Sequence, residues 1–360
     1  MNDNRTSASA ALEYPFEQRP AAGERKKITD GVYWLCMPLP LGLDHINLWL
    51  LRDDDGWVIV DTGLATDEIR SIWEQVLAEC RREMPVTRIL VTHYHPDHLG
   101  LASWLTEKLD VEVFMSLGDY LTAHAVYNAV GGYGGAALQA LYRRHGLSGK
   151  PLEQMAERGN GYRRVVPELP TRYRRIVDNE TLRIGGRDWR VIMGQGHAPE
   201  HASFHCAELG VLIAGDMALP TISANVSVNT IEPDGDPLRL FLESQARFLE
   251  LPADTLVLPS HGRPYRGLHR RVDALCRHHE ADLAKAMETC ATPQSAADLL
   301  PVLFRRDLDG FHLWLAMGEA IAHLNCLMHR GTLARRQDLA GVYRFLRASA
   351  PGQADAKSVS

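Results

Sequence analysis

Nowhere in these 360 residues does an apolar run approach the roughly 18 to 20 that cross a bilayer, so a membrane-spanning protein is not expected. Cysteine is scarce. Cys36, Cys80, Cys206, Cys276, Cys290 and Cys326 form no C-x-x-C pair, and they are too few for a disulfide-built fold of this length, so a reducing compartment fits. A secretory h-region is missing as well: Met1 to Lys27 is polar, with Arg5, Arg19, Arg25, Lys26 and Lys27, and reads as a flexible tail on a cytoplasmic protein. Excess positive charge is absent too. A net charge of −6 gives no overall drive towards a polyphosphate backbone, which favours a small-molecule partner over nucleic acid. What is present is an ordinary globular composition, 45% apolar and 23% charged, in a chain long enough for roughly two domains of about 150 residues.

From Gly31 onward short apolar runs are separated by turns. Val32 to Met37, Ile46 to Leu51 and Trp57 to Val60 predict strands, the last two parted by Asp53-Asp54-Asp55-Gly56. Ile69, Ile72, Trp73, Val76 and Leu77 then recur at helical spacing behind the cap candidates Thr66 and Asp67. Strand and helix alternate through Arg88 to Thr92, Leu99 to Leu109 and Val111 to Met115, which predicts an α/β layered domain. The Gly-rich, Tyr-rich stretch from Gly118 to Glu180 breaks that rhythm and reads as a helical insertion, either a lid over the site or a homodimer interface. Strand signals resume at Thr181 to Ile184, Trp189 to Met193, Ser203 to Cys206 and Val211 to Ala214. Beyond His261 the pattern turns helical, with Thr292 as one cap candidate. The expected division is therefore a tail over 1–27, a main domain over 28–262 with the insertion at about 118–180, a helical domain over 263–350 and a tail over 351–360.

Directly after a predicted strand comes His93-Tyr94-His95-Pro96-Asp97-His98: three imidazoles and a carboxylate within six residues. Crowding such groups is costly unless something pairs them, and neutral imidazole nitrogens and carboxylate oxygens suit zinc and similar metals. Alternate residues of an extended segment point the same way, so His93 and His95 can grip one ion and Asp97 and His98 another. His197, Asp216 and His261 each follow a strand-like run and bring the candidate ligands to seven, enough for two ions sharing Asp216.

The order H-x-H-x-D-H, Gly196-His197, Gly215-Asp216 and Ser260-His261-Gly262, with Val60-Asp61-Thr62-Gly63 upstream, resembles the metallo-β-lactamase fold superfamily over about Gly31 to Gly262. The resemblance implies an αββα sandwich with the metals at one edge of two packed sheets. It further implies that His93, His95 and His197 bind one ion, that Asp97, His98 and His261 bind a second, and that Asp216 bridges them. Asp61 would support the site from behind by orienting a ligand or its loop. Antibiotic-destroying members generally lack the bridging aspartate and many use a cysteine, so the pattern looks closer to glyoxalase II-like thioesterases, acyl-homoserine lactonases and a group with a helical C-terminal domain.

Two divalent ions about 3.5 to 4 Å apart acidify a bridging water, which makes hydrolysis of a thioester, ester or lactone the expected reaction, with Asp97 and Asp216 as catalytic carboxylates. Zinc is the expected metal, with iron or manganese as alternatives. No serine or cysteine nucleophile stands in the motifs, so no acyl-enzyme is expected. His45, Tyr94, Ser223 and Asn225 are candidate contacts to a small acyl substrate, whereas His201 and His205 are assigned structural roles. The helical tail's His269, His278, His279, His312, His323 and His329 are expected at the surface.

That tail resembles a winged-helix-like appendage found on a branch with endoribonuclease members. From Arg263 to Arg347, thirteen Lys and Arg face nine Asp and Glu, a mild excess without the stripe of a nucleic-acid surface. Three further readings stay open: a phosphodiesterase or endoribonuclease, a mononuclear iron sulfur dioxygenase, and a non-catalytic binding module.

Overall fold

A computed structural model describes residues 12–40, 42–157, 160–304, 308 and 310–348. In chain order the elements are β1 (Lys26–Thr29), β2 (Val32–Pro38), β3 (His45–Arg52), β4 (Trp57–Val60), α1 (Asp67–Glu83), β5 (Val86–Leu90), α2 (Pro96–Leu99), α3 (Ala102–Leu109) and β6 (Glu112–Met115). They continue with α4 (Leu117–Tyr127), α5 (Gly135–Arg144), α6 (Lys150–Glu157), α7 (Gly161–Val165), β7 (Arg174–Arg175), β8 (Thr181–Ile184), β9 (Arg187–Gly194), β10 (His201–Cys206) and β11 (Val211–Gly215). The last are α8 (Pro237–Phe248), β12 (Leu256–Pro259), α9 (Leu268–Thr289), α10 (Ala296–Leu303), α11 (Gly310–His329), β13 (Leu333–Gln337) and β14 (Tyr343–Arg347).

Two mixed sheets make the first compact unit, which holds residues 12–134, 160–224 and 240–276. One sheet runs β1-β2-β3-β4-β5-β6-β7 and the other β12-β11-β10-β9-β8. Strand alternation explains their burial on both faces. Trp34, Trp49, Leu51, Val58 and Val60 point one way and pack with Trp189, Val191, Phe204, Val211 and Ile213 of the second sheet. The intervening Leu35, Leu48, Leu50, Trp57 and Ile59 point the other way, onto Ile69, Trp73, Val76 and Leu77 of α1 and Leu105 of α3. On α8, Gln245 Nε2 donates to the Met217 carbonyl at 2.7 Å and Arg247 to that of Met193 at 2.5 Å. The expected αββα layering is present.

Strand direction gathers the loops that matter. β4 and β5 are parallel neighbours, so Asp61 and His93 leave the first sheet at the same end. β9 and β11 both run antiparallel to β10, and β12 is parallel to β11, so the loops bearing His197, Asp216 and His261 also leave the second sheet at a shared end. Ala202 N–H donates to the Thr92 carbonyl at 2.8 Å and joins the two groups of loops.

Gly100 ends α2 with no room for a side chain: a Cβ there would lie 2.3 Å from Pro96 O, 2.7 Å from Gly63 O and 2.9 Å from Ala65 N, all backbone. Gly100→Ala is expected to destabilise the protein by about 3 kcal/mol, at the upper end of overpacking costs, and thermal unfolding beside wild type measures it.

The second unit holds residues 135–157, 225–239 and 277–348. Its centre is α11, buried on every side from Ala316 to Leu327. A helix apolar all round needs cover all round. Tyr142 Oη donates to Trp314 O at 2.9 Å, Val228 N–H to Gly318 O at 3.2 Å, and Asn325 Nδ2 to the carbonyls of Pro233 and Gly235. That requirement corrects the expected division: 135–157 of the insertion and 225–239 of the expected main domain group with the helical unit. The described part of the expected tail is likewise ordered, with Leu12 buried, Glu13 bridged to Arg266, and β1 paired to β2. Positions 1–11 and 349–360, which include the rest of the expected N-terminal tail and the whole of the one expected over 351–360, lie outside the described residues.

Ser295, not Thr292, caps α10, in a capping box with Asp298. His279 and His323 are buried, not at the surface, with ring centres 5.6 Å apart. β13 and β14 form a two-stranded antiparallel sheet beside these helices. Among the described residues no helix is long and apolar enough to cross a membrane.

Candidate metal centre

All seven candidate ligands converge. His93, His95, His197 and Asp216 form one group whose ligand atoms lie within 4.8 Å of one another, and Asp97, His98 and His261 form a second. In the first, His93 Nε2 stands 2.9 Å from His95 Nδ1 and 3.2 Å from His197 Nε2. In the second, Asp97 Oδ2 is 3.3 Å from His261 Nε2 and 3.7 Å from His98 Nε2. Asp216 faces both, with Oδ2 3.3 Å from His197 Nε2 and Oδ1 3.5 Å from His98 Nε2 and 3.6 Å from His261 Nε2.

The ring orientations are set from behind. Asp61 adopts a left-handed backbone at φ 61°, and its carboxylate accepts Thr92 N–H at 2.8 Å, Thr92 Oγ1–H at 2.9 Å and His98 Nδ1–H at 2.8 Å. His261 Nδ1–H donates to the His45 carbonyl at 2.8 Å. In both rings Nε2 is therefore the nitrogen left to face the carboxylates. His98 Nε2 and Asp216 Oδ1 are buried without a hydrogen-bond partner.

The electrostatics divide along the same line. Burial and the neighbouring imidazoles drive His93 well below its ordinary pKa; burial and His197 bring His95 down to about 3, so both are neutral. Burial also opposes charge on His98 and His261, but the surrounding carboxylates outweigh it and hold both above the ordinary range. His93 and His95 present neutral donors, whereas the carboxylates around His98 and His261 draw protons onto those two rings. A cation meets both conditions.

Two further residues outside the ligand set build this geometry: His201, expected in a structural role, and Asn47, which the sequence does not single out. His201 Nε2 accepts Asp216 N–H at 3.1 Å and its ring lies 4.7 Å from that of His93. This contact accounts for Gly215, at φ +54°, where a Cβ would meet His201 Nε2 at 2.3 Å. Asn47, wholly buried in β3, accepts from Trp34 Nε1 at 2.8 Å and donates at 2.8 Å to the carbonyls of Pro259 and Gly262, on either side of His261. An amide inside an apolar strand was the available signal.

The expected substrate contacts fare differently. His45 is buried and engaged at both ring nitrogens: Nε2 accepts Gly262 N–H at 3.1 Å and Nδ1 meets Asp44 Oδ1 at 2.5 Å, with Asp44 paired in turn to Arg19 at 3.0 Å. These bonds and the His45 carbonyl hold the His261 loop. Tyr94 is half-buried, its ring 4.7 Å from that of His95. Ser223 is buried, its Oγ donating to Ala224 O at 3.1 Å. Asn225 belongs to the second unit, where Nδ2 donates to Leu315 O at 3.4 Å and Glu319 Oε2 at 3.5 Å.

Residues 41–261 match the family model described as metallo-beta-lactamase superfamily, and residues 283–348 match metallo-beta-lactamase-like, C-terminal domain. The crystal structure of a beta-lactamase domain protein from Burkholderia ambifaria is 44% identical, covers 95% of this chain and all of its own, and superposes with a TM-score of 0.89. The chain is 23% identical to the probable metallo-hydrolase YqjP of Bacillus subtilis (strain 168) over 83% of this chain and 92% of that protein. It is 27% identical to the hydroxyacylglutathione hydrolase of Stenotrophomonas maltophilia (strain R551-3), over 59% of each chain.

Proposed function

Since this chain belongs to the metallo-beta-lactamase superfamily, we propose that it is a hydrolase with two divalent metal ions, zinc in the first instance, that cleaves a thioester, ester or lactone of a small acyl substrate. One observation carries the reading. The two oxygens of Asp216 face imidazole nitrogens of two separate groups, and the buried His98 Nε2 and Asp216 Oδ1 make no hydrogen bond. Imidazole nitrogen and carboxylate oxygen are the donors zinc takes, so the residues fit the group.

His93, His95 and His197 with one Asp216 oxygen would hold one ion. Asp97, His98 and His261 with the other oxygen would hold the second. Divalent ions bound there supply an acidified water and a Lewis acid for the scissile carbonyl. The chain's own residues do the rest. Asp61 and the His45 carbonyl keep Nδ1–H on His98 and His261, so that Nε2 is the nitrogen each ring would offer a metal. Asp97, the more open of the two carboxylates at 21% exposed against 10% for Asp216, is placed to orient and accept a water proton. Thr92 Oγ1 is committed to Asp61 and is withheld from nucleophilic work.

The thioester arm draws support from the hydroxyacylglutathione hydrolase similarity. The test loads metal-free protein with zinc and assays an acyl-glutathione thioester, an acyl lactone, an aryl ester, bis(p-nitrophenyl) phosphate and short RNA. Zinc-dependent turnover of a carbonyl substrate above either phosphodiester is the expected result. Faster phosphodiester cleavage favours the nuclease reading, and oxygen uptake by protein purified with one iron favours the dioxygenase.

A further inference from the structure

Asp119 is wholly buried, stands outside the seven candidate ligands, and binds two of the loops that carry them. It lies in the first turn of α4, whose cap Ser116 accepts Asp119 N–H at 3.3 Å and donates Oγ–H to Asp119 Oδ2 at 3.2 Å. The cap satisfies the helix end, so local helix chemistry does not account for the rest of the carboxylate's bonds. Oδ1 accepts the backbone N–H of Tyr94 at 2.9 Å, and Oδ2 accepts that of Glu200 at 2.8 Å. Tyr94 sits between His93 and His95; Glu200 follows His197 by three residues. Glu200 completes the bracket, its Oε2 accepting Gly118 N–H at 2.7 Å.

A carboxylate in this position joins two loops that leave different sheets, His93 and His95 after β5 and His197 after β9. An amide or hydroxyl could not replace it, because both oxygens must accept at once. Backbone N–H groups are also the donors least able to move away when an acceptor is lost, so a change at Asp119 displaces the loops.

We propose that Asp119 is a positioning residue that fixes the separation of the His93–His95 loop and the His197 loop, and so presets three imidazoles for one divalent cation. This rests on the reading of those imidazoles as metal ligands.

The test uses full-length, metal-free protein titrated with zinc alone against a chromophoric chelator, and with cobalt(II) for the d–d spectrum. Asp119→Asn keeps size and shape but turns an NH2 group towards one of the two N–H donors. Its first zinc is expected to bind about 10- to 100-fold more weakly, as when a group supporting a ligand is lost, with a shifted cobalt spectrum. Ser116→Ala weakens the helix cap but spares both loop bonds, so its zinc affinity and spectrum should match wild type. Amide exchange on metal-free wild type needs no variant: Tyr94 and Glu200 N–H should both be protected. Zinc affinity and spectrum unchanged in Asp119→Asn, equal weakening in the two variants, or fast exchange of both amides would overturn the proposal. Wild type that takes up no zinc would instead overturn the ligand reading beneath it.

Discussion

Asp216→Ala is expected to strip the protein of both metal ions and to lower hydrolysis about 1,000-fold. The geometry sets that size. Among the described residues Asp216 is the one carboxylate whose two oxygens lie within 3.6 Å of ligand nitrogens from both groups, so its removal takes a donor from each at once. A metal's contribution to a hydrolytic transition state is several kcal/mol, and a loss of about 4 kcal/mol is a thousandfold. Asp216→Asn separates charge from shape, because it keeps one ligating oxygen and puts a non-ligating NH2 group in place of the other. One ion, held more weakly, is the expected outcome for that variant. Metal content after gel filtration and isothermal titration with zinc measure both variants. Two ions with unimpaired turnover in Asp216→Ala would show that Asp216 bridges nothing.

The ligands were legible because chemistry alone concentrates them: three imidazoles and a carboxylate in six residues have few other causes, and the strand before them is apolar enough to be recognised. His197, Asp216 and His261 became legible through their strand ends and motif order. Asp61 was legible as a support through its motif, but the other supports were not, since they act across the tertiary structure. Asp119 reads as an ordinary acid near a helix start, and its reach to Tyr94 and Glu200 depends on two sheets stacking. His201 is four residues from His197 and resembles a plain strand residue until Gly215 is seen to leave space for it. His45 was visible as a residue near the site, but its bond to the loop of Gly262 was not, because it depends on two distant segments meeting. The unit boundary was hidden for a related reason. A window of sequence shows that α11 is apolar, but not that 135–157 and 225–239 return to cover it.

The second large effect is expected at Asp61, where two substitutions should part stability from metal affinity. Asp61→Ala removes the acceptor of three buried donors and leaves a β-carbon on a left-handed backbone. Aspartate and alanine both carry a Cβ on that backbone, so the loss comes chiefly from the three stranded buried donors, at about 1 to 3 kcal/mol each, partly relaxed. A net loss of about 4 kcal/mol follows, read as a fall in the thermal or urea midpoint of metal-free protein. Asp61→Asn tolerates the backbone and keeps an oxygen for Thr92 N–H, so its stability should stay much nearer wild type. Its amide nitrogen, however, then faces His98 Nδ1 and can only donate. His98 must accept there and move its proton to Nε2, the atom aimed at Asp97 and Asp216. The second zinc should therefore bind about 10- to 100-fold more weakly in a well-folded protein, and nitrogen-15 shifts of the His98 ring should report the changed tautomer. If Asp61→Asn keeps both its second zinc and the His98 tautomer, Asp61 serves only to brace the loop.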